Sequence, residues 1–332
     1  MSAAFPAARS DRERFMAERR PGKNALDPMR PYGFFVEDEP AAPGAPVPVA
    51  TILLTNRECT YRCTMCDLWK NTLDAPTQPG AIPEQIRYAL ERLPAARRVK
   101  LYNAGSFFDR AAVPPEDHAA IAELVRGFER VVVECHPALA GDAILRFRDL
   151  LAGPELEVAV GLETANEQAL EKINKGMTVG EFEACTRRLV SYGIPVRSFV
   201  LLGVPFLGKE EWAEATRASI DVSFSAGAEI VSLIPTRMGN GTLEELQRTG
   251  DFTPPALSDL ERAMEDFFEG EEGRAGAPGM LLADLWNAHE LPAPECCAAA
   301  RIERLRAMNT FQRNLPLPPS LLPSCSSCGF PS

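Results

Sequence analysis

The stretch Cys59-Thr60-Tyr61-Arg62-Cys63-Thr64-Met65-Cys66 sits just after the apolar run Val49-Ala50-Thr51-Ile52-Leu53-Leu54. Three thiols at C-x3-C-x2-C spacing can converge on one metal centre. A cubane cluster held by three thiolates leaves one iron without a protein ligand. That iron can chelate a small molecule, which a fully ligated electron-transfer cluster cannot do. The alternatives are a zinc site or three scattered buried cysteines. Structural zinc usually takes its ligands as two separate C-x2-C knuckles, so a lone triplet fits it poorly.

Working outward, the 332 residues allow a sizeable core in two domains or one barrel. No apolar run approaches the ~20 residues that span a bilayer, so no membrane partner is expected. Residues 1–20 are charged and lack an apolar centre, which argues against a secretory signal. Nine cysteines, an odd number, point to a reducing compartment and metal chemistry rather than disulfides. The expected location is cytoplasmic. A net charge of −11 weighs against a broad basic face for nucleic acid. The run Arg9, Arg12, Arg14, Arg19 and Arg20 is interleaved with Asp11, Glu13 and Glu18, and reads as a solvated helix or a loose arm.

Residues 39–48 contain four prolines and are expected to form a linker that sustains neither a helix nor a central strand. From Val49 onward, short β-like runs alternate with amphipathic stretches. Strands are expected at Val49–Leu54, Val99–Tyr102, Val131–Glu134, Leu156–Leu162, Val196–Leu202 and Glu229–Ile234. Helices are expected between them, with further helices at Leu257–Phe268 and Ala298–Asn309. Near-continuous Val/Ile/Leu strands separated by helices indicate a parallel sheet covered by helices, an α/β chain with six β/α units.

In parallel barrels the site forms at the C-terminal strand ends. There the sequence presents Asn103, Gly105 and Ser106 after the second strand and Glu134 closing the third. The fourth strand alternates Val158, Val160 and Leu162 on one face with Glu157, Ala159, Gly161 and Glu163 on the other. The second set leaves space for a ligand and ends in a carboxylate able to accept hydrogen bonds; alternatively Glu163 and Thr164 begin the next helix. Arg197, on the fifth strand, offers a planar fork for a carboxylate, or pairs with a neighbouring acid.

The triplet after strand one of a six-unit barrel resembles the radical S-adenosylmethionine (SAM) superfamily. Gly161-Leu162-Glu163-Thr164 followed by Leu170-Glu171-Lys172-Ile173-Asn174-Lys175-Gly176 is similar to its elongator-catalytic-subunit/methylthiotransferase-like branch. Asn103–Asp109, Val133-Glu134, Pro205–Leu207, Ile234–Thr236, Gly241–Leu246 and Phe252–Pro255 resemble the family of archaeosine synthase radical SAM subunits. The resemblance implies a partial (β/α)6 radical SAM barrel over residues 49–256, an N-terminal arm and Pro-rich linker over 1–48, and a helical extension with a Cys-rich tail over 257–332. It implies a [4Fe-4S] cluster on Cys59, Cys63 and Cys66, SAM on the open iron, an external electron donor, and reductive cleavage of SAM to a 5′-deoxyadenosyl radical. By the same resemblance Asn103, Gly105, Ser106, Glu134, Glu163 and Arg197 hold SAM, and Met65 packs at its adenine. The implied substrate is a modified tRNA base. A small molecule or peptide substrate, or an iron–sulfur or zinc protein without SAM, are the other readings. Cys297 with Cys325 and Cys328 could bind a second metal, zinc or an auxiliary cluster, that would pin the tail.

Overall fold

The computed structural model describes residues 5–270 and 279–316. Eight strands form one sheet: β1 (Gly33–Ala42), β2 (Ala45–Leu54), β3 (Arg98–Asn103), β4 (Arg130–Glu134), β5 (Glu155–Glu163), β6 (Val196–Leu202), β7 (Ile230–Pro235) and β8 (Met280–Ala283). They lie side by side in chain order. Only β1 and β2 pair antiparallel; every later pair is parallel. The helices are α1 (Arg9–Ala17), α2 (Ala81–Leu90), α3 (His118–Leu124), α4 (Asp142–Leu151), α5 (Glu167–Lys172), α6 (Val179–Ser191), α7 (Trp212–Ser225), α8 (Thr242–Thr249), α9 (Leu257–Glu269) and α10 (Ala298–Phe311). Each parallel crossover carries a helix, so the sheet curls into a nearly closed α/β barrel.

Strand alternation decides where the core sits. Ile52, Leu54, Val99, Leu101, Val131, Val133, Val158, Val160 and Leu162 turn outward and pack on Ile82, Ile86, Ile121, Phe147 and Phe182 of the helical layer. A second core joins Val200, Val231, Leu233 and Leu281 to Leu260 and Met264 of α9 and to Leu305 and Met308 of α10. The opposite parity faces the barrel interior, as the fourth-strand alternation predicts.

Three expectations are corrected. The Pro-rich stretch at 39–48 is no linker: it forms the hairpin of β1 and β2, with Pro40 opposite Pro46. Proline is tolerated because Pro40 lies on the edge strand, one side of which needs no ladder, and Pro46 and Pro48 precede Val49, where β2 begins to pair with β3. The six parallel strands are joined by a seventh, β8, from the C-terminal extension. Four residues are too short a run to stand out in sequence. Finally, the Arg-rich beginning is neither loose nor merely solvated. Phe15 and Met16 are buried, Phe5 packs on Phe206, and Arg20 meets Glu58 at 2.6 Å.

The lower half of the barrel interior is filled by charge. Arg197 reaches Glu39 (2.5 Å) and Glu157 (2.7 Å), Lys100 reaches Glu39 (2.6 Å), and Arg130 reaches Glu157 (2.9 Å). Burial opposes the Glu39 charge, but Arg197 and Lys100 outweigh it and hold its carboxyl well below the usual range. Above this layer, at the C-terminal strand ends, the inward parity ends in Glu134 of β4 and in Gly161 and Glu163 of β5.

Candidate active site at the mouth of the barrel

The cysteine loop leaves β2 and is tied down by residues remote in sequence. Thr64 donates its amide to Ile173 O (2.8 Å), and the Asn174 carboxamide donates to Arg62 O (2.8 Å). Asn240 Nδ2 donates to Thr64 O (2.8 Å) and Cys66 O (3.2 Å), while its Oδ1 accepts from Thr242 and Leu243 at the start of α8. On the far side the loop meets Gly105. A Cβ there would lie 3.0 Å from Cys59 Cβ and 3.2 Å from its Sγ, and φ is +130°, so glycine alone fits.

Burial pushes the Cys59 thiol up to about 11, and those of Cys63 and Cys66 up to about 12. Thiols so desolvated lose their protons only to a cationic centre, which is the donor chemistry an iron–sulfur cluster needs. Among the described residues no three His, Cys, Asp or Glu side chains are close enough to share one metal ion. The ligands of a cubane each bind a different iron and stand farther apart. What the loop offers a cluster is its donor set, three free thiols within eight residues.

Glu163 ends β5 at a register shift and adopts a left-handed conformation, φ +68°. Such a backbone costs about 1–3 kcal/mol and is typical of functional sites. Its carboxylate meets Lys175 Nζ at 2.5 Å. Gly161 makes room, because a Cβ there would fall 2.4 Å from Glu163 Oε1 and 2.5 Å from Lys175 Nζ. Desolvation opposes the Lys175 charge, but Glu163 and the nearby Cys63 outweigh it, so its pKa is raised. Glu134 points inward from β4, and its Oε2 accepts the Asn103 amide at 2.8 Å. Burial, only partly offset by that bond and by Lys175, pushes its carboxyl up to about 8.

The remaining expected site residues divide. The Asn103 side chain is 1 % exposed, and neither its Nδ2 nor its Oδ1 has a partner among the described residues. It shares strand parity with outward-facing Leu101, so its amide, rather than its side chain, serves the interior. Ser106 turns its hydroxyl to Cys135 Sγ (3.6 Å). Met65 packs between the apolar groups around Leu170 and around Leu243. Arg197 lies five residues before the end of β6, its fork already taken by Glu39 and Glu157, so the structure does not bring it to the mouth. Cys297 is buried beside α10, with Arg301 Nε 3.2 Å from its Sγ. Cys325 and Cys328 lie outside the described residues.

Sequence reasoning assigned no role to Lys175, Asn174, Asn240 or His136. The His136 ring stacks on Tyr61 with centroids 3.7 Å apart and planes 12° apart. Its Nδ1 accepts the Ala138 amide, so Nε2 carries the proton and donates to Lys175 O (3.2 Å). Burial, reinforced by Lys175, lowers its pKa to about 4 and keeps the ring neutral. The usable signal was the Asn174-Lys175-Gly176 turn after α5. Beside the loop a cleft of about 300 Å³ opens, lined by Asn24, Tyr32, Thr55 and Asn71.

A parallel barrel with a three-cysteine loop after its first parallel strand and acidic strand ends defines an enzyme of one class. The sequence profile of the Radical SAM superfamily matches residues 53–218, half of the chain, and the chain belongs to that superfamily. The family implies a [4Fe-4S] cluster and SAM. Archaeosine synthase subunit beta of Thermococcus kodakarensis is 28% identical over 228 residues, covering 64% of this chain and 70% of that protein. The subunit of the same name from Methanosarcina acetivorans is 25% identical over 284 residues, 81% and 79% of the two chains. Among solved structures, a queuine lyase from Clostridium spiroforme shares the fold, with TM-score 0.52 and 15% identity over 77% of this chain and 97% of that one. Among the described residues no helix is long and apolar enough to cross a membrane.

Proposed function

We propose that this chain cleaves SAM reductively and abstracts a hydrogen atom from an organic substrate, in a reducing, cytoplasmic setting supplied by an external electron donor. When bound, the cluster and SAM supply an electron and a 5′-deoxyadenosyl radical. Cys59, Cys63 and Cys66 hold the cluster, and the hydrogen bonds from Asn174 and Asn240 fix their loop. Lys175 and Glu163 present opposite charges inside the barrel, suited to the carboxylate and the amino or ribose groups of SAM. Glu134 is a carboxyl that donates when protonated and accepts when ionised. The barrel walls keep water and stray hydrogen donors away from the reacting atoms. The observation that carries this reading is the pinned cysteine loop facing the Glu163–Lys175 pair across the mouth. Similarity to archaeosine synthase subunit beta supports a modified tRNA base as the substrate.

Anaerobically reconstituted protein with a strong reductant should release 5′-deoxyadenosine from SAM, and Cys63→Ala protein should release none. Equal release by the two would sink the proposal. Adding a tRNA pool should raise the yield if the substrate is a tRNA base.

A further inference from the structure

The cleft beside the cysteine loop takes no part in the chemistry above, yet its wall carries polar atoms that the fold does not use. It encloses about 300 Å³ between the segment before β1 and the loop that leaves β2, toward the small end of the ~300–1,000 Å³ that ligand pockets occupy. Ala25, Leu26 and Pro31 give it apolar surface, and Asn24, Tyr32, Thr55 and Asn71 give it polar atoms. Thr55 is fully buried, and its Oγ1 has no partner among the described residues. The Thr55 backbone is already occupied: its amide donates to Gln85 Oε1 (2.8 Å) and its carbonyl accepts from Gln85 Nε2 (2.8 Å). What Thr55 gives the cleft is therefore its hydroxyl. An unpaired buried hydroxyl costs stability, and valine would fill the same space without that cost. Asn24 Nδ2 donates to Asn71 Oδ1 (2.7 Å), which leaves Asn24 Oδ1 to accept and Asn71 Nδ2 to donate. The Tyr32 amide is spent on Leu53 O (2.9 Å), and its phenol adds a further donor. Glu134, Asp67 and Cys66 lie near enough for their charges to act on that phenol, so the cleft adjoins the mouth. The charged residues on the wall, Asp27 and Arg30, are of opposite sign. Arg30 already meets Glu84 at 3.2 Å, and Asp27 Oδ1 accepts the Met29 amide at 2.8 Å.

We infer that this cleft grips the substrate by an uncharged amide group, a carboxamide or a lactam. Asn24 Oδ1 accepts its N–H, Asn71 Nδ2 donates to its C=O, and Thr55 Oγ1 supplies a third bond. The inference rests on the SAM chemistry proposed above and adds where, and by which group, the substrate of that chemistry is held. The wall offers donors and acceptors side by side, and an amide answers both. A carboxylate brings no donor and an ammonium no acceptor, so either would leave part of the wall unpaired, which costs more than a made bond returns. Tyr32 borders both the cleft and the mouth, so a molecule gripped in the one extends into the other.

The test uses three probes of one size on reconstituted full-length protein: nicotinamide, nicotinate and picolylamine, which are neutral, anionic and cationic at neutral pH. Ligand-observed NMR titration gives the affinity of each. Nicotinamide should bind in the millimolar range and at least ~5-fold more tightly than either ion. Thr55→Val should weaken nicotinamide about 3- to 10-fold and leave the urea midpoint unchanged or raised, as loss of an unpaired buried hydroxyl requires. Asn24 is exposed and Asn71 half-buried, so Asn24→Ala with Asn71→Ala should fold and should lose the preference for the amide over the ions. Absent or equal binding of the three probes, or tighter binding of an ion, would overturn the inference. So would undiminished nicotinamide binding by Thr55→Val, because water then satisfies the hydroxyl, or a lowered midpoint, which gives the hydroxyl to the fold. Release of 5′-deoxyadenosine from SAM alone is measured on the same wild-type samples. Release without amide selectivity defeats the cleft and leaves the chemistry; selectivity without release does the reverse.

Discussion

Glu134 is a carboxyl whose protonation state changes near neutrality. Its folded pKa, about 8, stands above the ordinary 4.5, so the folded chain keeps a proton that the unfolded chain loses. The stability tied to that proton is present in full below about pH 4.5 and is lost as pH rises through 8. Allowing for partial exposure, the swing is of order 2 kcal/mol. Wild-type protein should therefore show a urea midpoint that falls between pH 5 and pH 8.5 relative to Glu134→Gln. Parallel curves for the two would remove the argument. Glu134 and Glu163 were legible in sequence, because a carboxylate closing an apolar or small-residue strand is a local oddity. The cysteine triplet was legible for the same reason. Lys175, Asn174, Asn240 and His136 were not. Asn240 acts on a loop 174 and 176 residues away, and the Asn174 carboxamide on a carbonyl 112 residues away. Nothing local in the sequence marks such a reach.

Among the elements, the hairpin β1–β2 shows how a sound local rule misleads. Prolines at 40, 43, 46 and 48 argue against a central strand, but Pro40 lies on the edge strand β1, Pro43 in the turn, and Pro46 and Pro48 precede Val49, where β2 begins to pair with β3. Beyond its ladder with β2, β1 is tied to the barrel interior by Glu39, whose partners Arg197 and Lys100 arrive from β6 and β3. This long-range demand is invisible in a proline-rich stretch. It also explains Arg197, which sequence offered to a ligand carboxylate and the fold gives to a protein one. Glu39→Ala leaves two buried cations short of a partner and should cost about 3–5 kcal/mol. Chemical denaturation measures it; a loss under about 1 kcal/mol would mean that water enters the lower barrel and compensates.

For the whole molecule, the segment before β1 matters most. It runs over the mouth, with Arg12 near Asn174 (3.5 Å), Arg20 on Glu58 and the Asn24 amide on Lys70 O (2.9 Å). Its charged composition suggested an arm, and only the complete barrel supplies the surface that docks it. Loosening it through Arg12→Ala with Arg20→Ala removes contacts worth roughly 1–2 kcal/mol together, about a tenfold change in an opening equilibrium. The cluster absorbance should then bleach about tenfold faster in air while the denaturation midpoint of the barrel moves little. Unchanged bleaching would show that the segment does not shield the loop. The ring itself is completed by α10 rather than by a strand. Asn309 and Gln312 hydrogen-bond the backbone of Ala283 and Leu281 on the outer side of β8, Gly44 donates to Thr310 O, and Phe35 stacks on Trp286 at 4.7 Å. A ring fastened by two carboxamides, one backbone hydrogen bond and one aromatic pair behaves as a clasp. It can widen there without tearing a ladder of strand hydrogen bonds, and the half-exposed indole of Trp286 would register each opening as a change in its own fluorescence.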